Sequence, residues 1–101
     1  MKKIPVALMI FEMLFASRVV IAADLAAGQA KAAACAGCHG ANGISNNPLW
    51  PNLAGQKAAY LAKQIKAFRD GTRKDPTMEP MARPISDADI ENISAYFESL
   101  K

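Results

Sequence analysis

The sequence predicts an all-α domain. Two separate stretches, residues 57–70 and 86–100, repeat apolar side chains at three- and four-residue spacing. A third, residues 24–34, is rich in alanine, the best helix former. No run alternates apolar and polar residues with the period of a strand, and no internal repeat is present.

Taken in chain order, residues 1–23 read as an export signal. Lys2 and Lys3 form a positive start, Ile4 to Phe15 is largely apolar, and Val19-Val20-Ile21-Ala22-Ala23 ends in small residues suited to cleavage after Ala22 or Ala23. An uncleaved membrane anchor is the alternative. It fits less well, because Glu12 and Arg18 interrupt the segment. Either charge at the centre of a membrane helix costs about 2.5–3.5 kcal/mol. The expected localisation is therefore export, to the periplasm of a Gram-negative cell.

The domain expected after cleavage is 24–101. It is 78 residues long, and domains below ~80 residues generally need a disulfide, metal or bound group for stability. Asp24 caps a first helix running to about Ala34. Residues 40–56, with Asn46-Asn47-Pro48 and Trp50-Pro51-Asn52, are irregular. The second helix spans Lys57 to Asp70. Leu61, Ile65 and Phe68 form its apolar face and Gly71 stops it. Pro76, Pro80 and Pro84 make 71–85 a loop. The last helix spans Ser86 to Leu100. Ser86 caps it, Asp89 completes a capping box, and Ile85 staples onto Ile90. Ile90, Ile93, Phe97 and Leu100 make its stripe.

Charge excludes a nucleic-acid binder. The whole chain carries twelve basic and nine acidic residues. Lys2, Lys3, Arg18 and Glu12 lie in the first 23, leaving nine and eight, a net of +1. Binding to phosphate backbones needs a far stronger basic footprint. The layout is nonetheless asymmetric. Lys57, Lys63, Lys66, Arg69, Arg73 and Lys74 face one acid, Asp70, within 57–74. Asp87, Asp89, Glu91 and Glu98 dominate 86–101. The basic set is a candidate docking surface for an acidic partner. The competing reading is a solvated helix face.

The chemistry is concentrated in Cys35-Ala36-Gly37-Cys38-His39, a Cys-x-x-Cys-His attachment site for one covalent haem c. Each thiol adds to one vinyl group, and the two-residue spacer sets the distance between the thioethers. The following histidine lies beneath the iron as proximal ligand. A thioredoxin-like dithiol would be expected beside a βαβ pattern, and none is visible. A zinc site would lack its other half. Haem iron also needs a sixth ligand or an open position. His39 is the single histidine, and Met78 and Met81 are the methionines within 24–101. Methionine ligation raises the potential and suits electron transfer. A haem would also supply the apolar centre that 78 residues lack.

These features resemble the class I cytochromes c, the small bacterial monohaem type and the halves of the dihaem type. The likeness runs through 24–101. It includes Cys35-Ala36-Gly37-Cys38-His39-Gly40, Pro51-Asn52-Leu53-Ala54-Gly55-Gln56, Tyr60-Leu61, Phe68-Arg69-Asp70-Gly71, the methionine loop and Ala95-Tyr96-Phe97. The resemblance implies three to four helices wrapped around one covalent haem. It implies a close crossing at Gly28 against Tyr96 or Phe97, and a hydrogen bond from His39 to the Pro51 carbonyl. It implies that Trp50, Leu53, Tyr60, Leu61, Ile65 and Phe68 line or back the haem. Family spacing favours Met78, 18 residues before Tyr96 and 8 before Ser86, over Met81 as distal ligand. The implied function is a soluble, monomeric one-electron carrier between two redox partner proteins, with no catalytic residue. The alternatives are a haem-bearing subunit of a larger exported dehydrogenase or reductase, and a gas-binding protein with open iron.

Overall fold

The computed structural model describes residues 22–101. The export-signal reading therefore falls outside the described residues, apart from Ala22 and Ala23. The architecture is all-helical, with no strand among the described residues. Its elements are α1 (Leu25–Ala32), a 3-10 turn (Ala33–Cys35), α2 (Ala36–His39), α3 (Ala58–Asp70), α4 (Met78–Ala82) and α5 (Asp87–Ser99). No helix among the described residues is long and apolar enough to cross a membrane.

The start of α1 is anchored twice. Asp24 Oδ1 accepts the Ala27 N–H at 3.0 Å, the cap its sequence position predicts. Asp24 N–H in turn donates to Asn92 Oδ1 at 2.9 Å, which ties this end to α5. The helical path does not stop at Ala34. It tightens through the 3-10 turn and continues as α2 to His39, so the cysteine motif is helical and Gly40 ends it.

The first residue of α3, Ala58, is capped from a distance. Lys57 provides no side-chain bond, and Glu98 Oε2 accepts the Ala58 N–H at 2.7 Å. Gly71 closes the other end with φ +80, a left-handed conformation suited to glycine, and its N–H reaches Phe68 O at 3.3 Å.

Residues 71–85 correct the sequence reading, because they contain a short helix rather than loop alone. In α4, Pro80 is the third residue, where its missing N–H is no loss to the helix. Pro84 follows after the end. In α5, Ser86 Oγ accepts the Asp89 N–H at 3.1 Å. The Asp89 carboxylate lies 3.7 Å from Lys31 Nζ on α1, an ion pair between the two helices.

α1 and α5 cross at Gly28. A Cβ there would overlap the Asn92 carbonyl and sit 3.1 Å from Tyr96 Cβ. Below the crossing, Ala32, Leu61, Ile93 and Phe97 form a buried cluster. Cys35, Leu53, Ile65, Ile85, Tyr96 and Leu100 pack against it, half-buried. Fully burying a side chain such as Ile93 or Phe97 is worth about 1.5–3 kcal/mol. The cluster therefore joins α1, α3 and α5 around the residue that opens the cysteine motif.

Candidate functional site

The chain places Cys35 at the end of the 3-10 turn, and Cys38 and His39 at the end of α2. A separation of three along a helical path brings the two cysteines to one side. Both are free thiols, half-buried. Burial, and secondarily the neighbouring Cys38, push the Cys35 thiol above its ordinary range, so it keeps its proton at neutral pH.

His39 is buried, 7% exposed. Its Nδ1 lies 2.8 Å from the Pro51 carbonyl oxygen. A carbonyl only accepts, so Nδ1 carries the proton and donates it. Nε2 is then the nitrogen with a free lone pair, the state required of a metal ligand. The Pro51 carbonyl is positioned by its loop. Gly43 O accepts the N–H groups of Leu53 at 2.8 Å and Ala54 at 3.0 Å. Asn52 Oδ1 accepts the Ser45 N–H at 2.8 Å. Ser45 Oγ donates within reach of Cys38 O, at 3.3 Å, and of Asn47 O, at 3.0 Å. Gly55 N–H bonds Phe97 O at 2.8 Å and fastens the loop to α5. Residues 40–56 thus form an irregular but densely bonded cradle for His39.

The apolar candidates divide into two groups. Leu61 and Phe68 are buried, and Leu53 and Ile65 are half-buried against the core cluster. Trp50 and Tyr60 stand apart, 40% and 49% exposed. Helical spacing explains Tyr60. Leu61, Ile65 and Phe68 share one stripe of α3, and Tyr60 lies a third of a turn away from Leu61. Met78 is half-buried and Met81 is 43% exposed, both on α4, which packs on α3.

Three of the six basic residues of 57–74, Lys66, Arg69 and Lys74, are ion-paired within the chain. Lys66 Nζ meets Glu91 Oε1 at 3.0 Å, and Arg69 Nη1 meets Asp87 Oδ1 at 2.7 Å. Lys74 Nζ lies 3.6 Å from Glu79. Arg73 stacks over the Phe68 ring at 4.5 Å and donates to Gln64 Oε1 at 2.8 Å. Two of these pairs link α3 to α5. Lys57 and Lys63 have no ion pair among the described residues.

Three contributors escaped the sequence reading: Ser45, Glu98 and Asp75. Asp75 Oδ1 accepts the N–H groups of Thr77 at 2.9 Å and Met78 at 2.8 Å. The Asp75-Pro76 pair, a turn-starting sequence, was its available signal. Glu98 had none, because its partner is 40 positions away.

Comparison with known proteins follows the same lines. The cytochrome c family model matches residues 25–101. Cytochrome c-554(548) of Halomonas halodenitrificans is 49% identical over 81 residues, covering 77% of this chain and 98% of that protein. The crystal structure of reduced cytochrome c4 from Pseudomonas stutzeri superposes with a TM-score of 0.75 at 44% identity, over 79% of this chain and 47% of that one. The thiosulfate dehydrogenase electron acceptor of Thiomonas intermedia is 41% identical over 80 residues, 78% of this chain and 37% of that protein. This chain thus spans less than half the length of the last two and nearly all of the first.

The donor set fits the cofactor of that family. Two protein thiols share one helical turn, an imidazole has its Nδ1 engaged by the Pro51 carbonyl, and methionine thioethers lie on a helix packed against α3. With its Cys-x-x-Cys-His motif, its all-helical fold and its relatives, the chain belongs to the cytochrome c family, electron-transfer proteins whose cofactor is covalently bound haem c.

Proposed function

We propose that this protein is a soluble, monomeric one-electron carrier in which Cys35 and Cys38 form the thioethers, His39 Nε2 is the proximal iron ligand and Met78 is the distal one. Haem c, when bound, supplies a one-electron iron couple. The carrying observation is the 2.8 Å contact from His39 Nδ1 to the Pro51 carbonyl. It orients the ring, selects the tautomer and makes the imidazole a stronger donor. The half-buried position of Met78, against the exposure of Met81, supports Met78 as the ligand. Leu53, Leu61, Ile65 and Phe68 would keep water from the iron, with Trp50 and Tyr60 nearer the rim.

Its proposed action is exchange of electrons with donor and acceptor proteins. Lys57, Lys63 and Arg73, without an ion pair among the described residues, are the basic residues of 57–74 left to meet an acidic redox partner. The pattern of residues 1–23 supports export to the periplasm. A second reading, a subunit serving a larger dehydrogenase, is favoured by the 41% identity to a thiosulfate dehydrogenase electron acceptor.

Purified holoprotein tests the proposal. Intact mass should show one covalent haem on a chain beginning near Asp24. The reduced form should refuse carbon monoxide, and the protein should run as a monomer that exchanges electrons with several partners. Strong carbon monoxide binding would replace the carrier with a gas-binding protein. Exchange with one enzyme alone, in a stable complex, would favour the subunit.

A further inference from the structure

We propose that Asp75 is a positioning residue for Met78, fixing the first turn of α4 through a reciprocal clamp with Glu79. The proposal rests on Met78 being the distal ligand.

Helix α4 has five residues, and an isolated helix of that length does not hold together in water. Thr77 supplies no side-chain cap, and Ala82 is the one residue of α4 that is buried. The order of its first turn must come from other bonds. Asp75 supplies them. Its Oδ1 takes the N–H of Thr77 at 2.9 Å and of Met78 at 2.8 Å. Its backbone carbonyl accepts the Glu79 N–H at 3.1 Å. Glu79 Oε2 returns a bond from the Asp75 N–H, also at 3.1 Å. Lys74 Nζ, 3.6 Å away, steadies the other oxygen of Glu79. Four hydrogen bonds thus tie Asp75 to Thr77, Met78 and Glu79, one of them directly to the Met78 N–H.

The clamp acts on Met78 and not on Met81, whose N–H lies beyond it. Soft methionine sulfur holds iron less firmly than imidazole does, so a fixed backbone matters more for it. The required property of residue 75 is an oxygen acceptor at one position. Asparagine keeps that oxygen, and alanine removes it.

The test compares Asp75→Asn, Asp75→Ala and Met78→Ala holoproteins. Three quantities are read: the sulfur-to-iron absorption of the oxidised form, carbon monoxide binding by the reduced form, and the far-ultraviolet circular dichroism. Asp75→Asn should keep the absorption band. Asp75→Ala should lose most of it and bind carbon monoxide at least tenfold better than wild type, with unchanged helix content. A wild-type band in Asp75→Ala, or equal loss in both Asp75 variants, overturns the clamp. If Met78→Ala itself keeps the band, the ligand reading fails instead. Hydrogen exchange on the wild-type protein decides the matter should Asp75→Ala not mature. Protected Thr77 and Met78 amides support the clamp, and exchange at free-peptide rates refutes it.

Discussion

Gly28 on α1 and Asn92 on α5 are in backbone contact, so close that a methyl group on Gly28 would overlap the Asn92 carbonyl oxygen. The contact sets the distance between the two helices that flank the cysteine motif. Gly28→Ala should lower stability by about 1–3 kcal/mol, the usual cost of overpacking, even though alanine favours a helix. Thermal unfolding of the holoprotein measures this. Tyr96→Ala should not rescue the variant, because the first obstacle is backbone.

The second prediction concerns haem attachment. Among the described residues the buried cluster is Ala32, Leu61, Ile93 and Phe97, and Cys35, Leu53 and Ile65 remain half-buried around it. Cys35→Ala combined with Cys38→Ala should give a largely unfolded chain by circular dichroism. A cooperatively melting apoprotein would show that the small helical core suffices.

Met78→Ala should abolish the sulfur-to-iron absorption, lower the potential and admit carbon monoxide. Met81→Ala should leave the spectrum near that of wild type, since that side chain is already 43% exposed. The reverse pattern would transfer the ligand to Met81 and leave the carrier function intact.

Acid should weaken the link between α3 and α5. Hydrogen bonding and attraction from Arg69 hold the Asp87 carboxyl below its usual range. A carboxylate with a depressed folded-state pKa contributes fully above its unfolded value, about 3.9. The contribution is lost as pH falls through the lower folded value. Between pH 6 and pH 3, wild type should therefore lose more of its melting temperature than Asp87→Asn does. Equal losses would show that this exposed pair contributes nothing measurable.

Ser94 is fully buried on α5, and its Oγ has no hydrogen-bond partner. Burying an unpaired hydroxyl costs about 1–3 kcal/mol. Ser94→Ala removes that cost with little change in volume. The melting temperature should rise. A fall would mean that the hydroxyl finds a partner in the holoprotein.

What the sequence alone determined is local. Cys35, Cys38 and His39 are legible as a haem-attachment motif by spacing, because the motif is written within five residues. The caps at Asp24 and Ser86, the stop at Gly71 and the stripes of α3 and α5 were legible for the same reason: each acts within one or two turns. Tertiary structure decided the rest. Helix α4 was hidden by its prolines and is stabilised by side-chain bonds from Asp75 and Glu79 and by packing on α3. Glu98 caps α3 across 40 residues, and Asn92 holds the start of α1 across 68. Within the basic run of 57–74, Lys66 and Arg69 meet Glu91 and Asp87 of α5. Periodicity records which face of a helix is buried. Only the packed chain decides what meets that face, because partners distant in sequence are chosen by the geometry of packing.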